Sequence, residues 1–296
     1  MKKKIAGIYA PITTPFVDDE LSLEHLGDNI RKYRETPLAG FLVLGSNGEN
    51  KSLSEDEKVK ILETVLEHKA DSQLVMAGTG YESTRETIVF GKKAAMLGVD
   101  FVSVLTPSYF KKRLTDDALA GYYLDVADAL SIPVLAYNAP GFTGITLSEK
   151  VVQKISRHPN IIGMKDTSPG NMSSYLAASD DSFDILSGTI TTLFTALMLG
   201  ASGGVVSLAN AFPKICCALF DRCKIGDMEG GRGLHYKLFK LNQSVSGSFG
   251  VAGVKYAMEI GGYFGGSPRL PLLPLNEDNK KCIWKAAKAA GVIDRA

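Results

Sequence analysis

Short continuous apolar runs punctuate the chain at residues 5–12, 41–44, 74–77, 101–105, 133–137, 161–164, 183–186 and 203–208. They are rich in Val, Ile and Leu and do not alternate with polar residues, which suits strands covered on both faces of a parallel sheet. Helical patterns lie between them, and several have readable starts. Ser54-Glu55-Asp56-Glu57 has the S-x-x-E form of a capping box, repeated at Ser83–Glu86 and Thr146–Glu149. Val59, Leu62, Val65 and Leu66 then share one helical face. Gly98 and Gly200 follow apolar helical stretches, where left-handed C-caps are expected.

Strands alternating with helices over about 210 residues predict an α/β fold of the (β/α)8 TIM barrel type, ahead of a doubly wound open sheet. Residues 213–296 read differently. Helices are expected at 216–223, 234–245 and 280–290, separated by turns such as Gly265-Gly266-Ser267-Pro268. The domain reading is a catalytic barrel over 1–212 and a C-terminal helical extension over 213–296 packed on it.

Composition narrows the function classes. The 296 residues are 45% hydrophobic and 22% charged, enough for a large core. A net charge of +1 supplies no overall field for nucleic acid or a membrane surface. No apolar run approaches the ~18 residues of a membrane span. The basic start Met1–Lys4 is followed by only six apolar residues before Pro11, too few for a secretory signal. Cys216, Cys217, Cys223 and Cys282 lack disulfide or C-x-x-C spacing and read as reduced thiols of a cytoplasmic protein.

In a barrel, chemistry collects at the C-terminal ends of the strands. Lys165 closes the run Ile161–Met164 and is expected to enter a poorly hydrated mouth. Desolvation penalises an ammonium, and a neutral amine can attack a carbonyl to form a Schiff base. The same position also suits an ion pair with Asp166. Tyr137 ends the preceding run, where its phenol can move a proton or simply belong to the core. Gly45-Ser46-Asn47-Gly48 after the second run can aim backbone N–H groups at an anion, or form a plain turn.

Other motifs carry less. Gly200–Gly204 matches G-x-S-x-G, but a helix precedes it and a strand follows, the reverse of a hydrolase elbow. Gly78-Thr79-Gly80 lacks the third glycine of a dinucleotide fingerprint. His25, His68, His158 and His235 show no metal-ligand spacing, and His68 and His158 suit helix C-termini.

Together these segments resemble the superfamily of dihydrodipicolinate synthase and N-acetylneuraminate lyase. The resemblance rests on Gly45–Glu49, Tyr137-Asn138-Ala139-Pro140 with Thr143-Gly144, and Ile162–Asp166, supported by Pro11–Phe16 and Gly203–Ser207. It implies a class I, Schiff-base carbon–carbon lyase acting on pyruvate or another 2-oxo acid, with no cofactor and no metal. Lys165 would carry the Schiff base and Tyr137 would be the general acid/base. Ser46 would relay protons between Tyr137 and Tyr109, the latter reaching in from a neighbouring subunit. The N–H groups of Ser46 and Asn47 would hold the substrate carboxylate, and Gly188 and Val206 would line the pocket. The usual assembly is a homotetramer, a dimer of dimers.

One departure bears on the substrate. Synthases of lysine biosynthesis carry an arginine for the carboxylate of aspartate semialdehyde in the segment after the tyrosine, and Phe142 stands there. Gly45–Glu49, Ala77–Thr84 and Ser207–Asn210 are similar to 4-hydroxy-2-oxoglutarate aldolase, which yields pyruvate and glyoxylate. That reaction is the first expectation. The synthase reaction, cleavage of 2-keto-3-deoxy sugar acids and a catalytically dead ligand-binding barrel are the alternatives. Asn50-Lys51 replaces the small or polar residues usual at the family's lysine-feedback site, so no inhibition by lysine is expected.

Overall fold

The computed structural model describes residues 5–293; the basic start Met1–Lys4 and the last three residues of the expected extension lie outside them. The eight apolar runs form strands β1 (Gly7–Pro11), β2 (Gly40–Val43), β3 (Leu74–Gly78), β4 (Phe101–Leu105), β5 (Val134–Asn138), β6 (Ile161–Asp166), β7 (Asp184–Ser187) and β8 (Gly203–Val205). All neighbours are parallel, and β1 pairs with both β2 and β8, closing the barrel. A two-rung antiparallel ladder, Phe16–Val17 with Glu20–Leu21, follows β1.

Strand residues divide between two layers by the period of two. Tyr9, Leu42, Met76, Phe101, Leu135, Ile162, Leu186 and Val205 fill the interior. Val43, Val75, Val102, Val104, Val134 and Ile185 face the helices. Each such side chain contributes about 1.5–3 kcal/mol on burial. The runs therefore had to be apolar at every position.

The helices are α1 (Leu23–Arg34), α2 (Glu55–His68), α3 (Thr84–Leu97), α4 (Asp116–Ala129), α5 (Glu149–Ser156), α6 (Met172–Ala178), α7 (Ile190–Met198), α8 (Pro213–Lys224), α9 (Met228–Asn242), α10 (Ser248–Ile260) and α11 (Glu277–Ala289). Ser54 and Glu57 form the full capping box of α2. Ser83 caps α3 from one side only, accepting from the Glu86 N–H. Thr146 does not cap α5; Ser148 does. Leu147 is pinned in between, its N–H held by Asn138 Oδ1 at 3.1 Å and its carbonyl by the Tyr175 hydroxyl at 2.6 Å, so the chain turns helical only after it. Gly98 ends α3 in the left-handed conformation. Gly200 has φ 107° one residue beyond the C-cap Leu199.

Helix α8 packs on β1 and α7 and completes the eighth strand–helix unit. The expected boundary at 213 falls at the start of this helix, and the helices from Met228 onward lie beyond the eight units. Helix α10 lies outside the expected helices, in a stretch that carries Gly247, Gly250 and Gly253. Only Gly250 departs from helical geometry, at φ 54°. Val254, Ala257 and Met258 beyond it are fully buried, and that burial holds the helix.

Candidate active site

Tyr137 and Lys165 stand opposite each other in the register of β5 and β6. Lys165 is only 4% exposed. Its Nζ lies 4.2 Å from the centroid of the Tyr137 ring. The ion-pair reading of Lys165 fails on geometry. The Asp166 carboxylate is taken instead by Asn138 Nδ2 at 2.8 Å and by the Ser168 N–H and hydroxyl at 3.0 and 2.7 Å. Burial pushes the Asp166 carboxyl above its ordinary range, against the pull of these donors.

The turn after β2 is built on two left-handed residues that are not glycine, Leu44 (φ 59°) and Glu49 (φ 53°). Each costs on the order of 1 kcal/mol and persists only where its surroundings enforce it. Within the turn, the N–H groups of Gly48 and Glu49 donate to the carbonyls of Gly45 and Ser46, both at 3.1 Å. Thr14 Oγ1 donates to the Gly48 carbonyl at 2.7 Å, and Asn47 Nδ2 to Ser207 Oγ at 2.8 Å. Asn50 Nδ2 reaches the carbonyls of Leu44 and Gly78. Among the described residues, the N–H groups of Ser46 and Asn47 have no acceptor. The turn thus presents two free donors, as an anion cradle requires.

The polar network behind this turn carries no local sequence signal. Lys255 of α10 meets Glu49 at 2.7 Å, each side chain 1% exposed. Burial lowers the Lys255 ammonium from its ordinary value, and Glu49 opposes that shift. The partners are about 200 residues apart, so only the tertiary structure could reveal them.

A cavity of about 420 Å³ opens at the C-terminal ends of β2 to β5. Ser46, Tyr137 and Phe142 line it, with Lys51, Ser103 and Leu272. The Ser103 hydroxyl is buried without a partner. Lys165 is not on the cavity wall itself but lies against the ring of Tyr137, which is. Asn47, Gly188 and Val206 are also absent from that wall. The Val206 side chain is fully buried in the larger apolar cluster. Gly188 is pressed against β6, its N–H on the Asp166 carbonyl at 2.6 Å. A Cβ there would lie 2.8 Å from that oxygen and 2.2 Å from Thr167 Cγ2. Tyr109 is 80% exposed, its ring edge-on to Phe110, and its N–H and that of Ser108 both donate to Glu82 at 2.9 Å. In one chain it does not line its own cavity.

Among the described residues, no group of three or more His, Cys, Asp or Glu side chains could hold a metal ion. No helix among them is long and apolar enough to cross a membrane.

A closed barrel with a buried lysine against a tyrosine at the ends of adjacent strands fits the Schiff-base-forming carbon–carbon lyases. More narrowly, the chain belongs to the dihydrodipicolinate synthetase family, whose model matches residues 4–290. It is 33% identical over 289 residues to a 4-hydroxy-tetrahydrodipicolinate synthase of Geobacter sulfurreducens, covering 97% of this chain and 99% of the relative. The protein of the same name from Methanocaldococcus jannaschii is 31% identical over 288 residues, with the same coverage. Among solved structures, dihydrodipicolinate synthase from Thermotoga maritima superposes with a TM-score of 0.93 at 28% identity, covering 97% of this chain and 99% of that one. A prophage protein of the dihydrodipicolinic acid synthase family from E. coli K12, solved with pyruvate, gives 0.90 at 27% identity and the same coverage.

Proposed function

We propose that Lys165 forms a Schiff base with pyruvate and that the enzyme makes or breaks the carbon–carbon bond beside it. The observation that carries this reading is the buried Lys165 amine against Tyr137, unpaired with Asp166. The amine adds to the C2 carbonyl and water leaves. In cleavage, the C2 iminium of a longer 2-oxo acid takes up the electron pair of the C3–C4 bond as the C4 hydroxyl gives up its proton, leaving the pyruvate enamine and an aldehyde; in condensation, the pyruvate iminium loses a methyl proton to give that enamine, which attacks the aldehyde carbon. Tyr137 supplies and recovers the protons, assisted by Ser46 on the same cavity wall. The free N–H groups of Ser46 and Asn47 take the pyruvate carboxylate.

The second substrate has two readings. The names of the relatives support the synthase reaction, condensation with aspartate semialdehyde, over the glyoxylate reaction that the motifs put first. Phe142 favours the glyoxylate reaction, since it lines the cavity where a charged contact to the semialdehyde carboxylate would be needed. The arrangement of Tyr109 supports an assembly in which each copy's tyrosine serves a neighbour, a dimer of dimers in its fullest form.

Borohydride reduction in the presence of pyruvate, followed by peptide mapping, tests the reading. A reduced adduct on Lys165 is expected, and none in Lys165→Met. Initial rates with aspartate semialdehyde and with glyoxylate then separate the two second substrates. An adduct absent from every lysine would overturn the aldolase and the synthase readings together and leave a barrel that binds without catalysing.

A further inference from the structure

The segment from α10 to Arg269 grips the turn after β2 at several points. Lys255 Nζ lies 2.7 Å from Glu49 Oε1, donates to the Ser267 carbonyl at 2.8 Å, and sits 4.5 Å from the centroid of the Phe16 ring. The other carboxylate oxygen of Glu49 accepts the Arg269 N–H at 2.8 Å. The Arg269 guanidinium carbon lies 4.3 Å from the centroid of the same Phe16 ring. It bonds Glu57 through two nitrogens at 2.7 and 2.9 Å, and the carbonyls of Ser52 and Asp19, each at 2.9 Å. Both the end of the turn and the start of α2 are therefore held by residues more than 200 positions away.

A buried ion pair is a poor way to gain stability, since apolar residues of equal volume often do as well or better. The hydrogen bonds that flank it, Lys255 to the Ser267 carbonyl and the Arg269 N–H to Glu49, do fix position. The turn needs that: Glu49 is left-handed, and the donors of Ser46 and Asn47 lie three and two residues before it. We infer that the Lys255–Glu49 pair, with the Arg269 backbone as third contact, is a positioning device that holds the Ser46–Asn47 donors in their anion-binding arrangement. The C-terminal extension thereby sets affinity for the substrate carboxylate. Lys255 and Glu49 are positioning residues that act through the turn. The binding half of the inference rests on the reading that Ser46 and Asn47 receive that carboxylate.

The test uses the full chain as wild type, Lys255→Met and the double variant Glu49→Gln with Lys255→Met. The double variant leaves no unpaired buried charge and nearly preserves volume, so it separates positioning from folding. Hydrogen exchange of the amides at residues 44–50 is measured without ligand, and the pyruvate concentration for half-maximal borohydride trapping is measured with it. In the folded double variant, the Gly48 and Glu49 amides are expected to exchange at least about tenfold faster, reporting local opening. Half-saturation is expected to rise by about tenfold while trapping at saturation reaches the wild-type level, the pattern of lost uniform binding. Wild-type exchange or wild-type half-saturation in the folded double variant would overturn the inference. Failure of wild type to trap at Lys165 would sink the proposed function instead, and the exchange measurement would still decide on the positioning role.

Discussion

The Nζ of Lys165 lies 4.2 Å from the centroid of the Tyr137 ring, and the two residues are register partners on adjacent strands. The lysine is thus placed by the ring as well as by the backbone, whereas the phenolic oxygen is not needed for that placement. Tyr137→Phe separates the two roles. The fold and the lysine position are expected to survive, and borohydride with pyruvate should still label Lys165. Turnover should fall about 10²- to 10⁴-fold, the usual cost of a lost general acid/base. Steady-state kinetics beside peptide mapping checks it, and a loss of less than tenfold would remove Tyr137 from the proton path.

Phe142 is 70% exposed on the short helical turn Pro140–Thr143 and lines the cavity. A longer cationic side chain there has room to extend without disturbing the core. Phe142→Arg is expected to raise kcat/KM for aspartate semialdehyde by at least about tenfold, since one charge-assisted contact is worth roughly 1.5–3 kcal/mol. Rates with glyoxylate should rise far less. Equal gains with both aldehydes would mean that the residue does not select the second substrate.

Lys51 and Lys58 flank one ring, their ammonium groups 5.9 and 4.9 Å from the centroid of Tyr81. Lys58 Nζ also donates to the Tyr81 hydroxyl at 3.2 Å. Burial first, and then Lys51, push the Lys58 ammonium below its ordinary value, against the pull of Glu55. A free lysine would bring a further positive charge beside them. Millimolar L-lysine is therefore expected to leave the initial rate unchanged. A saturable loss of activity with rising L-lysine would show that the two ammonium groups do not exclude it.

The reach of sequence reasoning here follows the range of the interactions. Strands such as Phe101–Leu105 are legible because burial on both faces writes itself into every position. Lys165 and Tyr137 are legible because each closes such a strand, and parallel pairing brings strand ends together. The grip of Lys255 and Arg269 on Glu49 was hidden, because nothing local distinguishes a lysine bound for the interior from a solvated one. Val206 follows the inward-facing strand residue Val205 and belongs to the larger apolar cluster, a division between layers that a reading of strand ends alone does not make. The cap of α5 moved to Ser148 because Asn138 and Tyr175, remote in sequence, hold Leu147 extended.

Glu57 joins the capping box of α2 to the C-terminal extension. It accepts the Ser54 N–H at 2.8 Å and two guanidinium nitrogens of Arg269. The Arg269 hydrogen bonds hold its carboxyl below the ordinary carboxylate value, chiefly against the effect of burial. A carboxylate lowered by folding contributes stability that is complete above its unfolded value. That contribution is lost as pH falls through the lower, folded value. The side chains are 21% and 14% exposed, so solvent screening limits the contribution to about 1 kcal/mol. Glu57→Gln keeps most of the hydrogen bonds and removes the charge. At pH 7 its melting temperature is expected to lie about 2 °C below wild type. The gap should close on acidification through the carboxylate range, because the protonated wild type then resembles the variant. Thermal melts from pH 7 down to the acid limit of reversible folding check this, and a gap that stays constant would assign the loss to hydrogen-bond geometry rather than to charge.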